Sequence, residues 1–312
     1  ELNTINSFTD KAYIINLNKC KEKFYNLENL FNVNFINVNR TEAVNGYDDK
    51  IVDMYNGYLK KPFTEFELRL GRKALASSGA LGYLLSMRKI FIEAIKNNYE
   101  YIIVNDDDIG IIPDFISKFD NLIRRLPLFK ILLLGSSQWN WKNIDIKNFY
   151  YIPNRISNGS FSAIYHKSTF DKLLNMIENY NSPFDCNPTK SVFIKGNSYV
   201  SYPNIAIAQL EESSIIKVTK SRSYDRFRWR KEDYIFPYNI KNEVEIVLKK
   251  ENMRKHNKLF IIGIVTYNRI GYLRECVNSL KKTLDTEIDY ILVIADGYSI
   301  DNTDLYLKEL EF

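Results

Sequence analysis

Short apolar runs alternate with segments of helical periodicity along most of this chain, and that alternation leaves few architectures open. Residues 12–17 read as a buried strand, 19–31 as a helix of mixed charge and 34–38 as a second strand. After a polar stretch that reads as irregular, residues 79–97 carry Leu81, Leu84, Leu85, Ile90, Phe91, Ala94 and Ile95 at the spacing of one buried helical face. A strand over 101–104 follows, then a helix over 114–125 introduced by Pro113, then an apolar run at 131–134 of the kind buried on both faces of a sheet. This order predicts an α/β fold on a mostly parallel sheet. Ligands of such sheets bind beyond the carboxyl ends of the strands. That rule puts Asn16, Leu17 and Asn18 on the same edge as Asp106, Asp107 and Asp108.

Asp106 and Asp108 stand one residue apart immediately after an apolar strand, so both carboxylates can reach one hard divalent ion, with Asp107 left for a sugar or a supporting role. Such an ion offsets the negative charge that develops when a sugar leaves a nucleotide diphosphate. The competing reading is a solvated acidic turn, since aspartate favours turns and helix starts. Three crowded carboxylates beside an apolar strand repel one another and a cation relieves this, which favours the ion.

Composition narrows the classes further. Apolar residues make up 45% of the 312, yet no stretch approaches the ~20 uncharged apolar residues of a membrane span. The net charge of +5 comes from 43 basic and 38 acidic residues, with basic clusters only at 222–231 and 249–258. Either cluster can meet phosphates or be a solvated face, and no nucleic-acid-binding motif accompanies them. Cys20, Cys186 and Cys276 form neither a disulfide framework nor a CxxC metal site, which points to a reducing compartment. The chain opens on Glu1 rather than Met, a processed or shortened start, so targeting is not legible from it.

Four blocks in order carry a family resemblance: Ala12 to Leu17, Glu42 to Gly46, Ser78 to Ser86, and Asp106 to Ile109 with Pro113-Asp114-Phe115. Leu132 to Gly135, Gly159 to Tyr165, Lys172 to Leu174, Pro183 to Asp185, and Tyr202-Pro203 leading to Gln209 and Ser213 extend it over about residues 10–235. The ordered set resembles glycosyltransferase family 25, which includes lipopolysaccharide and collagen hydroxylysine galactosyltransferases. The resemblance implies a GT-A type fold, a UDP-sugar donor and Mn2+ or Mg2+. The chain departs from the family at three positions: the glutamate and histidine of the helix-start block are Ala80 and Met87, and the glutamate of the acidic motif is Asp106.

Other residues join as candidates. An inverting transfer needs a carboxylate to deprotonate the acceptor hydroxyl, and Asp185, Glu211 and Glu212 compete for that role. Arg226 and Arg228, with Arg222 and Arg230, flank Tyr224 and Trp229 and read either as a grip on the donor diphosphate or as a charged surface segment. Trp139 and Trp141 read either as a sugar platform or as core. His166 and His256 share no metal-ligand spacing.

After a charged stretch at 241–257 the pattern restarts with a strand over 259–265, a helix over 272–281, a strand over 290–294 and a helix over 302–311. Ile264 to Arg269, Tyr272 to Ser279 and Asp296 to Thr303 resemble the opening of glycosyltransferase family 2, which assigns Thr266, Tyr267 and Asp296 to a base pocket. The expectation is a catalytic domain over 1–240, a linker over 241–257 and a partial GT-A-like βαβα unit over 258–312, the start of a second transferase. The expected activity is metal-dependent transfer of a hexose, galactose by resemblance, from a UDP-sugar to a glycan or a hydroxylated protein side chain. Asn16, Leu17, Asp106, Arg226 and Arg228 are expected to hold the donor, and Asp106 and Asp108 the ion. The alternative, raised by Ala80 and Met87, is a degenerate sugar- or nucleotide-binding module. The expected location is cytoplasmic or peripheral at a membrane, with no nucleic-acid partner, and homo-oligomerisation is left open.

Overall fold

The computed structural model describes residues 5–32, 36–178, 181–193, 195–210, 223–237, 245–248, 259–283, 289–296 and 301–308, with Ser299 and Leu310. The chain divides into two compact units, Glu1–Tyr238 and Asn239–Phe312.

The strands of the first unit are β1 (Lys11–Asn16), β2 (Asn39–Glu42), β3 (Tyr101–Asp106), β4 (Ile109–Ile111), β5 (Ile131–Leu133), β6 (Ser137–Gln138), β7 (Tyr150–Tyr151), β8 (Ser157–Asn158), β9 (Ser162–His166), β10 (Ser198–Ser201) and β11 (Ala206–Ala208). Seven of them form one sheet in the order β2-β1-β3-β9-β5-β10-β7. There β2, β1, β3, β5 and β10 point one way and β9 and β7 run against them, so the sheet is mostly parallel. The inner strands carry continuous buried runs, Ala12 to Asn16 in β1 and Ile102 to Asn105 in β3, as strands covered on both faces do. The helix Ser78–Lys96 starts where the Ser77 hydroxyl accepts from Ala80 N at 3.1 Å. It buries Leu84, Met87, Ile90, Phe91 and Ala94 in one cluster with Ile102, Val104 and Tyr165 of the sheet. Leu84, Met87, Ile90 and Phe91 each contribute about 1.5–3 kcal/mol.

Two elements differ from the sequence pattern. The second strand is not at 34–38: residues 33–35 lie outside the described residues, and the strand is Asn39–Glu42, bonded to β1 from Tyr13↔Asn39 to Asn16↔Glu42. It is polar and half exposed, an edge strand held by backbone pairing, so hydropathy gives it no signal. The stretch read as irregular contains the helices Asp49–Lys60 and Glu65–Leu70. The second opens with a capping box, in which Thr64 and Glu67 satisfy each other's backbone N–H groups.

In the second unit β13 (Leu259–Thr266) lies parallel to β14 (Asp289–Asp296), joined through the helix Ile270–Thr283 and followed by the helix Thr303–Lys308. Leu273, Val277, Leu292, Ile294, Leu307 and Leu310 form its core. A further strand, β12 (Glu245–Leu248), pairs antiparallel with β14 inside the stretch read as a linker. Its four residues gain backbone partners on an edge that the charged flanks conceal. No helix among the described residues is long and apolar enough to cross a membrane.

Candidate active site

The parallel register of β1 with β3 sets Ile15 opposite Asp106, so the residues after β1 and the acidic turn after β3 share one sheet edge. A cleft of about 300 Å³ opens there, lined by Leu17 and Lys23 after β1, Ala43 to Tyr47 after β2, Asp106 to Asp108, Trp139, Asn158 to Phe161, and Pro183 to Asp185.

Close backbone approach builds one wall of it. A Cβ on Gly46 would lie 2.5 Å from Gly79 Cα, and one on Gly82 would lie 2.6 Å from Val44 O. The Glu42 to Gly46 loop and the start of the helix Ser78–Lys96 therefore touch through backbone. Ser86 Oγ locks them, accepting from Val44 N at 2.8 Å and donating to Gly82 O at 2.8 Å. Ala80 lines the cleft, whereas Met87 is fully buried in the core. Of the two departures from the family pattern in that helix, only Ala80 changes the surface of the cleft. The segment that brings Gly159 to the cleft uses the same device: a Cβ on Gly135 would meet Ala206 O at 1.8 Å, and one on Gly159 would meet Gly135 O at 2.5 Å.

The acidic turn is held from several sides. Asp106 N donates to Phe161 O at 2.7 Å and Gln209 N to Asp108 O at 3.0 Å. Asp107 Oδ2 accepts from Asn16 Nδ2 at 2.6 Å. The Tyr83 hydroxyl, 3.2 Å from Ser160 Oγ, faces the Asp106 carboxyl. Asp106 Oδ1 is buried without a hydrogen-bond partner. Burial holds the Asp106 carboxyl well above the usual carboxylate range, Asp108 and Asp107 push it further, the Tyr83 hydroxyl partly offsets this, and Asp185 adds to the rise. Asp107 is raised by burial, against the pull of the Asn16 amide, Lys23 and Arg40. Burial also raises the Tyr165 hydroxyl, followed by the charges of Asp106 and Asp185, so the Asp185 carboxylate shares this site.

A group with these properties suits a divalent ion. Among the described residues no set of three or more His, Cys, Asp or Glu side chains forms a protein-only metal site. An ion shared with a diphosphate needs only one or two carboxylates, the rest of its shell coming from phosphate and water. The orphaned Asp106 Oδ1, crowded by like charges, fits that requirement.

The residues singled out in the sequence fall into four groups. Leu17, Asp106, Asp108 and Asp185 line the cleft together. Asn16 is buried; its amide is engaged by Cys20 O at 2.8 Å and Asp107, and its Oδ1 accepts from Arg40 Nε at 2.9 Å. Arg226 and Arg228 are exposed and stack on Trp139 and Trp141, at 4.6 Å in each case. Glu211 and Glu212 lie outside the described residues, directly after Leu210 of the cleft. Tyr83, Tyr165 and Lys23 were not singled out. Tyr83 lies one helical turn from Ala80 on the cleft face, a signal available only once that face is known.

In the second unit the Asp296 carboxylate accepts from Ser299 N at 3.0 Å and Ser299 Oγ at 2.5 Å. Asp301 accepts from Ile270 N at 2.9 Å, at the start of the helix Ile270–Thr283. The aspartates of this motif thus stitch its own loops together. Thr266, at the end of β13, is buried.

Two family models match the chain. No curated protein matches the chain. A crystal structure of a glycosyltransferase involved in the glycosylation of the major capsid of PBCV-1 matches at 14% identity and a TM-score of 0.34, covering 65% of this chain and 94% of that one. Residues 261–312 match the family model of glycosyl transferase family 2. Residues 9–219 match that of glycosyltransferase family 25, described as an LPS biosynthesis protein. The α/β architecture is GT-A-like, its acidic turn lies in the cleft at the carboxyl edge of the sheet, and the chain belongs to glycosyltransferase family 25.

Proposed function

We propose that this glycosyltransferase takes a hexose from a UDP-sugar and passes it to a hydroxyl of a glycan or a hydroxylated side chain. The observation that carries the reading is Asp106, whose buried Oδ1 has no partner inside a cluster of three further carboxylates. Asp106 and Asp108 would hold Mn2+ or Mg2+ together with the donor diphosphate. Bound there, the ion supplies charge compensation for the leaving nucleotide diphosphate. Leu17, Lys23 and the Ala43 to Tyr47 loop line the flank next to β1 and β2 and would receive the nucleotide. Asn16 acts through Asp107, holding its carboxylate against the end of β1.

In an inverting transfer the bond from the sugar anomeric carbon to the phosphate oxygen breaks as the acceptor oxygen bonds to that carbon. The acceptor proton passes to a carboxylate. Asp185 lines the same cleft and is the base that the described residues favour, with Glu211 and Glu212 as its sequence competitors. Galactose is favoured by the family resemblance. Ala80, which leaves that wall without a carboxylate, is where the donor sugar would be selected.

Calorimetry with UDP, with and without Mn2+, followed by assay of UDP-galactose and UDP-glucose turnover, tests the reading. Metal-dependent UDP binding and slow donor hydrolysis are expected. Absence of metal-dependent UDP binding would sink it, and binding with no turnover of any donor would identify a sugar-nucleotide-binding module.

A further inference from the structure

Trp139 and Trp141 stand two residues apart after β6, and Arg226 and Arg228 stand two residues apart far along the chain. The pairs meet in step, Arg226 over Trp139 and Arg228 over Trp141. A guanidinium stacked on an indole uses its flat face, which fixes the direction of its N–H edge. The backbone beneath is fixed as well. Phe227 and Trp229 are buried on either side of Arg228, with Phe227 edge-on to Trp139 at 5.1 Å and Trp229 edge-on to Phe161 at 5.8 Å. Between these anchors Arg228 adopts φ 58, a left-handed conformation that costs a non-glycine residue energy. Arg230 differs: its Nε lies 3.3 Å from Glu232 Oε1 and 3.5 Å from Asp233 Oδ2, whereas among the described residues Arg228 has no carboxylate partner.

Trp139 also lines the cleft, with Ser137, Asn158 and Ser160. In the chain Ser137 and Trp139 follow β5, and Asn158 and Ser160 precede β9; both of these strands lie across β3 from β1 and β2 in the large sheet. A donor seated beside β1 and β2, with its diphosphate at Asp106 and Asp108, leaves the Trp139 flank for the second substrate. We infer that the two Arg–Trp stacks form an acceptor subsite for a sugar bearing a carboxylate or a phosphate, its ring against Trp139 and its anionic group on the guanidinium edges. The inference rests on the transferase reading above and moves Arg226 and Arg228 from the donor to the acceptor. Planar bidentate recognition of an anion is what a held guanidinium does best.

The test titrates the full chain, with and without saturating UDP and Mn2+, with glucose, glucuronate, glucose 6-phosphate and inorganic phosphate, followed by tryptophan fluorescence. One or both anionic sugars should bind at least tenfold more tightly than glucose, and which one does so identifies the anion. Inorganic phosphate should bind more weakly than the preferred sugar. The double variant Arg226→Gln, Arg228→Gln should lose the anionic preference while keeping its melting temperature and UDP affinity. The corresponding double lysine variant should recover part of the preference, and Trp139→Ala should weaken every sugar. Equal affinity for neutral and anionic sugars, a preference that survives in the glutamine variant, or displacement of the anionic sugar by UDP would overturn the assignment. Loss of UDP binding alone, with the anionic preference intact, would refute the donor reading and still support the subsite.

Discussion

The Asn16 amide donates to Asp107 Oδ2 across 2.6 Å while its Oδ1 accepts from Arg40 Nε at 2.9 Å, which ties the end of β1 to the acidic turn after β3. Asn16→Ala frees Asp107 and leaves the Arg40 guanidinium without this acceptor, and should cost about 1–3 kcal/mol of stability. Asn16→Asp should weaken donor binding more, because a second carboxylate then faces Asp107. Thermal denaturation and UDP calorimetry on both variants check this. Donor affinity unchanged in both would remove Asn16 from the site.

Asp106→Asn and Asp108→Asn should each lower transfer by at least about 100-fold, the scale of losing a charge-stabilising group in an active site. Their folds should survive. Asp106 is destabilised in the free protein by burial and by Asp108 and Asp107, so Asp106→Asn should melt at the same or a higher temperature than the parent without metal. Normal turnover in Mn2+ would end the assignment of these residues to the ion.

Glycine substitutions should separate by neighbourhood. Gly135→Ala drives a Cβ to 1.8 Å from Ala206 O, and Gly46→Ala drives one to 2.5 Å from Gly79 Cα, so both should be strongly destabilised or fail to fold. Gly57, inside the helix Asp49–Lys60, has nothing within 4 Å of the added atom. There alanine should stabilise by about 0.5–1 kcal/mol. Denaturant midpoints for the three variants give the ranking directly.

Acid stability should depend on Glu67, a fully buried carboxylate that accepts from Tyr58 Oη, from Thr64 N at 2.9 Å, from Thr64 Oγ1 at 3.1 Å and from Ala74 N at 3.1 Å. Burial alone would raise its pKa, but these bonds together hold it down at about 2, from 4.5. A depressed folded pKa contributes stability above the unfolded value of 4.5, and this is lost as pH falls from there toward about 2. Glu67→Gln should flatten that part of the stability curve. At neutral pH Glu67→Ala should cost roughly 3 kcal/mol by orphaning donors and removing the cap. A parent curve with no slope between these values would show that Glu67 is not the titrating group.

Residues 1–238 should fold and transfer sugar without the rest, since every residue lining the cleft lies within that unit. Expression of this fragment, with its melting curve and donor turnover compared with those of the full chain, measures the claim. An insoluble fragment would make the second unit part of the catalytic fold.

Sequence alone determined β1, β3, β5 and the central helix, because these elements are covered on faces that hydropathy records, as in Tyr101–Asp106 and Ser78–Lys96. It also determined that three aspartates follow a strand, and hence that they lie at the carboxyl edge of the sheet. It did not show β2 or β12, whose pairing is made by backbone groups common to every residue type. The helices at Asp49–Lys60 and Glu65–Leu70 were concealed by polar faces, although Thr64 and Glu67 carried a legible cap. Only the tertiary structure decided that Asn16 supports Asp107 instead of lining the cleft, that Met87 belongs to the core while Ala80 faces the cleft, and that Arg226 and Arg228 stack on Trp139 and Trp141. Periodicity records which face of an element is covered, whereas these roles depend on contacts between segments far apart in the chain, whose partners no local pattern names.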